Sequence, residues 1–193
     1  SSDNEQANGG QTTTVKPGKG LKVGLVTDVG QLNDRGFNAL ANEGLERAED
    51  QLGIQGRVFI SDSASDYVPN LTQGARGGYD LVIGVGFLMG DALSTVAKQF
   101  PDTEFAIVDL PWAALEDKPA NARGLVFGEQ EAGYLVGVAA ATAAGGGSVS
   151  AVGGQAVPAV VAFLAGYRAG VEDTDSSMRV LQGYSQDFVD QAK

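Results

Sequence analysis

The sequence predicts an α/β protein built on a parallel, doubly wound sheet. From Leu21 onward, short apolar runs alternate with longer ones whose apolar residues recur at helical spacing. Acids or glycines stand where several of the short runs end, at the edge where open α/β sheets collect ligands. A third observation divides the chain. Between residues 110 and 123, Pro111 and Pro119 bracket a polar segment that reads as a connection in place of a crossover helix.

The first twenty residues are dominated by Ser, Asn, Gln, Thr and Gly, with Ala7 and Val15 as apolar exceptions, and read as a flexible polar tether over 1–20. Residues 21–26 (LKVGLV) form the first buried strand. A helix follows over 35–52, with Phe37, Leu40, Ala41, Leu45, Ala48 and Leu52 on one face. Strands are then predicted at 57–61, 81–85 and 104–108, with helices at 67–77 and 89–99 between them, which completes an N-terminal α/β lobe over 21–122. Strands at 123–127, 148–152 and 178–182, with helices at 129–144 and 157–171, begin a second unit of the same type, a partial C-terminal lobe over 123–193. Eleven residues remain after Gln182, enough for one incomplete helix from about Asp187. Three strands and a shortened helix make a poor independent domain, so the sequence is expected to be a fragment of a longer protein.

Composition removes several function classes. Among 193 residues there is neither cysteine nor histidine, which excludes disulfides, thiolate chemistry, histidine-dependent triads and most zinc sites. With 24 acids against 13 bases, the net charge of −11 argues against a nucleic-acid surface, which needs clustered Lys and Arg. The longest apolar stretch, 132–144, is shorter than the ~20 residues of a membrane span and reads as a buried helix. A polar tether before the first strand fits a protein held at a distance from a membrane. The sequence contains neither a signal peptide nor a lipid-accepting cysteine, so any such anchor is expected to have been removed.

The chemistry gathers at strand ends that a parallel sheet brings to one edge. The first strand delivers Asp28 and a polar loop containing Asn33, Asp34, Phe37 and Asn38; the third delivers Gly86, Phe87 and Met89 within a glycine-rich turn. The fourth delivers Asp109, and the sixth Gly153-Gly154-Gln155. Asp34 reads either as part of a site or as the N-cap of the following helix. Asp28 ends a buried strand with no helix to cap, and so reads as an acceptor for an incoming group. Asp109 is a pocket acid or a turn residue before Pro111. Phe37 is a core residue or a ring on which a planar base stacks. Two carboxylates with no histidine or lysine nearby in sequence suit hydroxyls such as a ribose diol. Gly133 and Gly137 signal close helix packing, and Trp112 packs the connection or walls the pocket.

The blocks VTDVGQLNDRGFN, GYDLVIGVGF, FPDTEFAIVD, GLVFGEQEAGYLVGVAA and VGGQAVPAVVAFLAGYRAGV, in that order, resemble the basic membrane protein family of bacterial substrate-binding lipoproteins, which includes purine nucleoside receptors of ATP-binding-cassette (ABC) importers. The resemblance implies a type I periplasmic-binding-protein fold, two α/β lobes that close on a ligand, with the present chain truncated in the second lobe. It implies that Asp28 meets the nucleoside, that Phe37 is one of two rings sandwiching the base, that Asn38 is a polar contact, that Asp109 binds the ribose, and that Gly86 to Met89 wall the cleft. The second ring, a base-reading acid and a lysine are expected beyond Lys193, so the isolated chain is expected to bind nucleoside weakly or not at all. Where the family usually has Ser, this chain has Gly36.

The implied function is that of a non-enzymatic, cofactor-free, extracytoplasmic receptor, anchored to the membrane and delivering a purine nucleoside or related flat heterocycle to an ABC permease. Two other readings stand beside it. A nucleoside hydrolase has a similar acidic loop after its first strand but needs clustered aspartates to hold calcium. The sensor domain of a transcription regulator needs a helix-turn-helix before the first strand, where this chain has its tether.

Overall fold

The apolar strand β1 (Lys22–Val26) is buried from Val23 onward, as a central strand covered on both faces must be. The computed structural model, which describes residues 16–186, pairs β1 in parallel with β2 (Gln55–Phe59) on one side and β3 (Leu81–Val85) on the other. β4 (Glu104–Val108) and β5 (Ala122–Leu125) continue the sheet, in the order β2-β1-β3-β4-β5. Alternation along the strands sends side chains to two cores. Val26, Val82, Phe105 and Ile107 pack with helices α2 (Tyr67–Arg76) and α3 (Gly90–Gln99), whereas Val23, Leu25 and Val85 pack with Leu45 of α1 (Phe37–Leu52). Each such fully buried side chain contributes roughly 1.5–3 kcal/mol.

β2 begins two residues earlier than predicted because α1 stops sharply. Gly53 takes φ 76°, donates its N–H to Glu49 O at 3.0 Å, and lets Gln55 join Leu21 O at once. Residues 16–20, expected as the end of the tether, instead form a turn whose Gly18 N–H donates to Leu52 O at 2.8 Å. The rest of the tether and the helix expected from about Asp187 lie outside the described residues.

The connection between β4 and β5 carries only a 3-10 turn at Trp112–Ala114, as the two prolines indicated. Trp112 packs within it, its indole N–H donating to Pro119 O at 3.1 Å. The register of β5 corrects the expected division of the chain. Ala122 to Leu125 lie against Phe105 to Val108, so the first sheet runs past residue 122 and takes the strand that was assigned to the second unit.

β6 (Ser148–Gly153) and β7 (Arg179–Tyr184) form a separate parallel pair with helices α4 (Glu129–Ala144) and α5 (Pro158–Thr174). The two helices cross with backbones in contact. A Cβ on Gly133 or Gly137 would overlap the carbonyl oxygen of Phe163 or Tyr167, and one on Gly166 or Gly170 that of Gln130 or Tyr134. Ala141, Tyr167, Val171 and Met178 make the local core.

Candidate ligand-binding site

The carboxyl ends of β1, β3 and β4 open into a cavity of about 740 Å³, whose far wall is the first turns of α5. Of the residues singled out in the sequence, Asp28, Phe37, Gly86, Phe87 and Asp109 line it. Four others do not. Asn33 and Asp34 are exposed outside the cavity, Asn38 is buried beneath Asp28, and Met89 is fully buried in the core against Gly84. Met89 therefore fills the core where a cleft wall was expected, and Gln155, at the end of β6, also lies outside the lining.

Asp28 is fixed from several directions. Its N–H donates to Asn38 Oδ1 at 2.9 Å, and the Asn38 side-chain amide donates to Asp28 O at 3.1 Å. Asn38, expected as a ligand contact, is thus a brace for the strand end. Asp28 Oδ1 accepts from Val29 N–H at 2.7 Å and from the Tyr67 hydroxyl. Oδ2 lies beside Gly86, where φ is 91° and an added Cβ would sit 2.5 Å from that oxygen. Glycine is required there on both counts.

Asp34 is the cap its position allowed. Its Oδ1 accepts from the N–H groups of Gly36 and Ala39, and its Oδ2 from that of Asn38, at 2.8–3.0 Å. Burial pushes this carboxyl up, but the three backbone donors outweigh that and hold it below the usual carboxylate range. The cap sets the start of α1 and with it the ring of Phe37, which is half exposed at the cavity.

On the facing side stand residues that the sequence reading gave no role. Phe127 approaches Phe37 with ring centroids 6.1 Å apart and planes tilted by 58°. Glu129, buried at the start of α4, accepts the Phe127 N–H at 3.2 Å. Burial, and then the Glu129 charge, raise the Asp109 carboxyl above its usual range. Asp109 sits at φ 68°, a left-handed conformation that Asp tolerates, and its N–H donates to Leu125 O at 2.8 Å. Val157, Val160 and Phe163 of α5 make the apolar wall. The cavity thus has three carboxyls, three exposed aromatic rings (Phe37, Phe127 and Phe163) and no Lys or Arg among its described lining residues. A second, more open groove of about 610 Å³ runs along α4 and α5, away from the strand ends of the first sheet. Among the described residues no three or more acids are grouped to hold a metal, as the hydrolase reading would require.

A parallel sheet whose strand ends face a second α/β unit across a ligand-sized cavity is the architecture of the periplasmic-binding-protein type. A crystal structure of an ABC transporter solute-binding protein from Aeropyrum pernix superposes with a TM-score of 0.71 at 30% identity, over 85% of this chain and 47% of that one. The model of the family of PnrA-like ABC transporter substrate-binding proteins (Bmp) matches residues 21–193, and the chain belongs to that family. The nucleoside-binding protein BmpA of a Lactococcus lactis ABC transporter is 37% identical over 185 residues, or 94% of this chain and 52% of its own length. An uncharacterized lipoprotein of Pyrococcus furiosus is 35% identical over 185 residues, 92% of this chain and 46% of its own. The chain spans about half the length of these curated relatives.

Proposed function

We propose that this chain is part of an extracytoplasmic, membrane-anchored receptor that binds a purine nucleoside, or a related flat heterocycle, between its lobes and hands it to an ABC permease. The observation that carries this reading is the meeting of Phe37, Asp28 and Asp109 at one cavity. An exposed ring offers a stacking face worth roughly 1–3 kcal/mol per base. A carboxylate accepts without donating, so Asp28 suits the N–H edge of a base and Asp109 a pair of ribose hydroxyls. Three carboxyls without a cation favour a neutral nucleoside over its phosphorylated form. The name of the Lactococcus relative supports the nucleoside, and that of the Pyrococcus relative supports a lipid anchor. No helix among the described residues is long and apolar enough to cross a membrane.

Calorimetry on the full-length protein containing this chain tests the reading. Guanosine or inosine should bind, and Asp109→Ala should weaken nucleosides far more than free bases. Equal weakening of both overturns the ribose role, and binding of free sugars in preference to nucleosides overturns the ligand class.

A further inference from the structure

We propose that Tyr67 is a positioning residue for ligand binding: its buried hydroxyl, with the Val29 N–H, occupies one oxygen of Asp28 and leaves the other directed into the cleft. The proposal rests on the ligand reading above and adds to it a residue whose ring lies in the core. Tyr67 opens α2, is 3% exposed, and packs with Val26, Phe59 and Leu71. As a core residue it needs only its ring, and phenylalanine would serve. The hydroxyl instead reaches across to Asp28 Oδ1, the oxygen that also accepts from Val29 N–H at 2.7 Å. Burial, then the hydrogen bond and charge of Asp28, raise the Tyr67 phenol above its ordinary range, so the group remains a donor whenever the carboxylate is ionised.

The consequence lies at the second oxygen. Asp28 Oδ2 accepts no hydrogen bond among the described residues, and it occupies the space that a Cβ on Gly86 would take. The backbone of Asp28 is held independently by the Asn38 amide. With its main chain pinned and Oδ1 filled, the carboxylate has a single open acceptor of fixed direction at the cavity wall. A preorganised acceptor binds a donor more tightly than one that must be ordered on arrival, by roughly tenfold for one side chain.

The test uses the full-length protein with guanosine as the probe, and the variants Tyr67→Phe, Asp28→Ala and the pair together. Tyr67→Phe should weaken guanosine binding about tenfold. In the Asp28→Ala background it should cost nothing further, because a residue acting through the Asp28 carboxylate loses its effect with it. Losses that simply add, or a Tyr67→Phe variant that binds normally, overturn the proposal. A ligand-free readout separates this from the ligand assignment. Three-bond couplings to the Asp28 carboxyl carbon should report one side-chain rotamer in the parent and averaging in Tyr67→Phe. Averaging together with no guanosine binding by the parent keeps the positioning role and removes the nucleoside; an unchanged single rotamer removes the positioning role.

Discussion

Asn38 and Asp28 are locked together by a closed pair of hydrogen bonds, the Asp28 N–H donating to Asn38 Oδ1 at 2.9 Å and the Asn38 amide donating back to Asp28 O at 3.1 Å. Asn38 is 1% exposed, so its amide has no water to turn to, whereas Asp28 is half-buried at the cavity. Asn38→Ala leaves a peptide donor and acceptor unpaired at the end of β1. It should destabilise the protein by about 1–3 kcal/mol in urea unfolding. It should also weaken ligand binding without removing any group that touches the ligand. A loss of only a few tenths of a kcal/mol would mean that water replaces the amide.

Asp34 carries a pH-dependent contribution whose sign is fixed. Its carboxyl is held below the ordinary value of 3.8 in the folded protein, so its stabilisation is fully present above that value and is lost as pH falls through the depressed one. Asp34→Ala removes the two carboxylate oxygens that accept three backbone N–H groups at the start of α1 and should cost about 0.5–2 kcal/mol at neutral pH, as helix caps do. Parent and variant should converge in stability once the pH lies below the depressed value. Denaturant titrations at both pH values check this, and a gap that persists in acid would show that packing, not the charge, holds the turn.

The Asp109 carboxyl is raised by burial and then by Glu129, so the fold favours its neutral form. Ionising it therefore costs stability, a cost absent below the ordinary value that grows as pH rises towards the folded one. Glu129→Gln keeps an acceptor for the Phe127 N–H but removes the opposing charge. Carboxyl-carbon NMR should then show Asp109 titrating at lower pH than in the parent, still above the ordinary carboxylate value because burial remains. No movement would assign the whole shift to burial.

How much of this was legible in the sequence depended on whether the signal was local. The alternation of strand and helix runs located every element from β1 to β7, because apolar period is a property of neighbouring residues. The allegiance of β5 was not legible: Ala122 to Leu125 join the first sheet by pairing with β4, which no residue within the strand announces. The acids at strand ends were visible as acids, but their employment was set by distant partners. Asp34 met three amides within five residues of itself, whereas Asp28 met Tyr67 from 39 residues away. Met89 looked like a wall because it follows glycines, yet the missing side chain of Gly84 makes room for its sulfur inside the core. Phe127 and Glu129 stood within a recognised block, but their place opposite Phe37 and Asp109 follows from the turn between β5 and α4.

The glycines of the helices make opposite predictions. In α4 and α5, an added Cβ at Gly166 would overlap Gln130 O, a backbone atom that can move only if the helices separate. Gly166→Ala should therefore destabilise the protein by about 1–3 kcal/mol, the usual cost of overpacking. Gly44 lies mid-way along α1 with nothing within 4 Å of its would-be Cβ. There the methyl meets no atom, and the lower chain entropy of alanine should stabilise the protein by about 0.5–1 kcal/mol. The two variants add the same methyl group to a helix, so the difference between their unfolding midpoints isolates the helix crossing from helix propensity. Equal shifts would show that backbone contact between α4 and α5 does not set their separation.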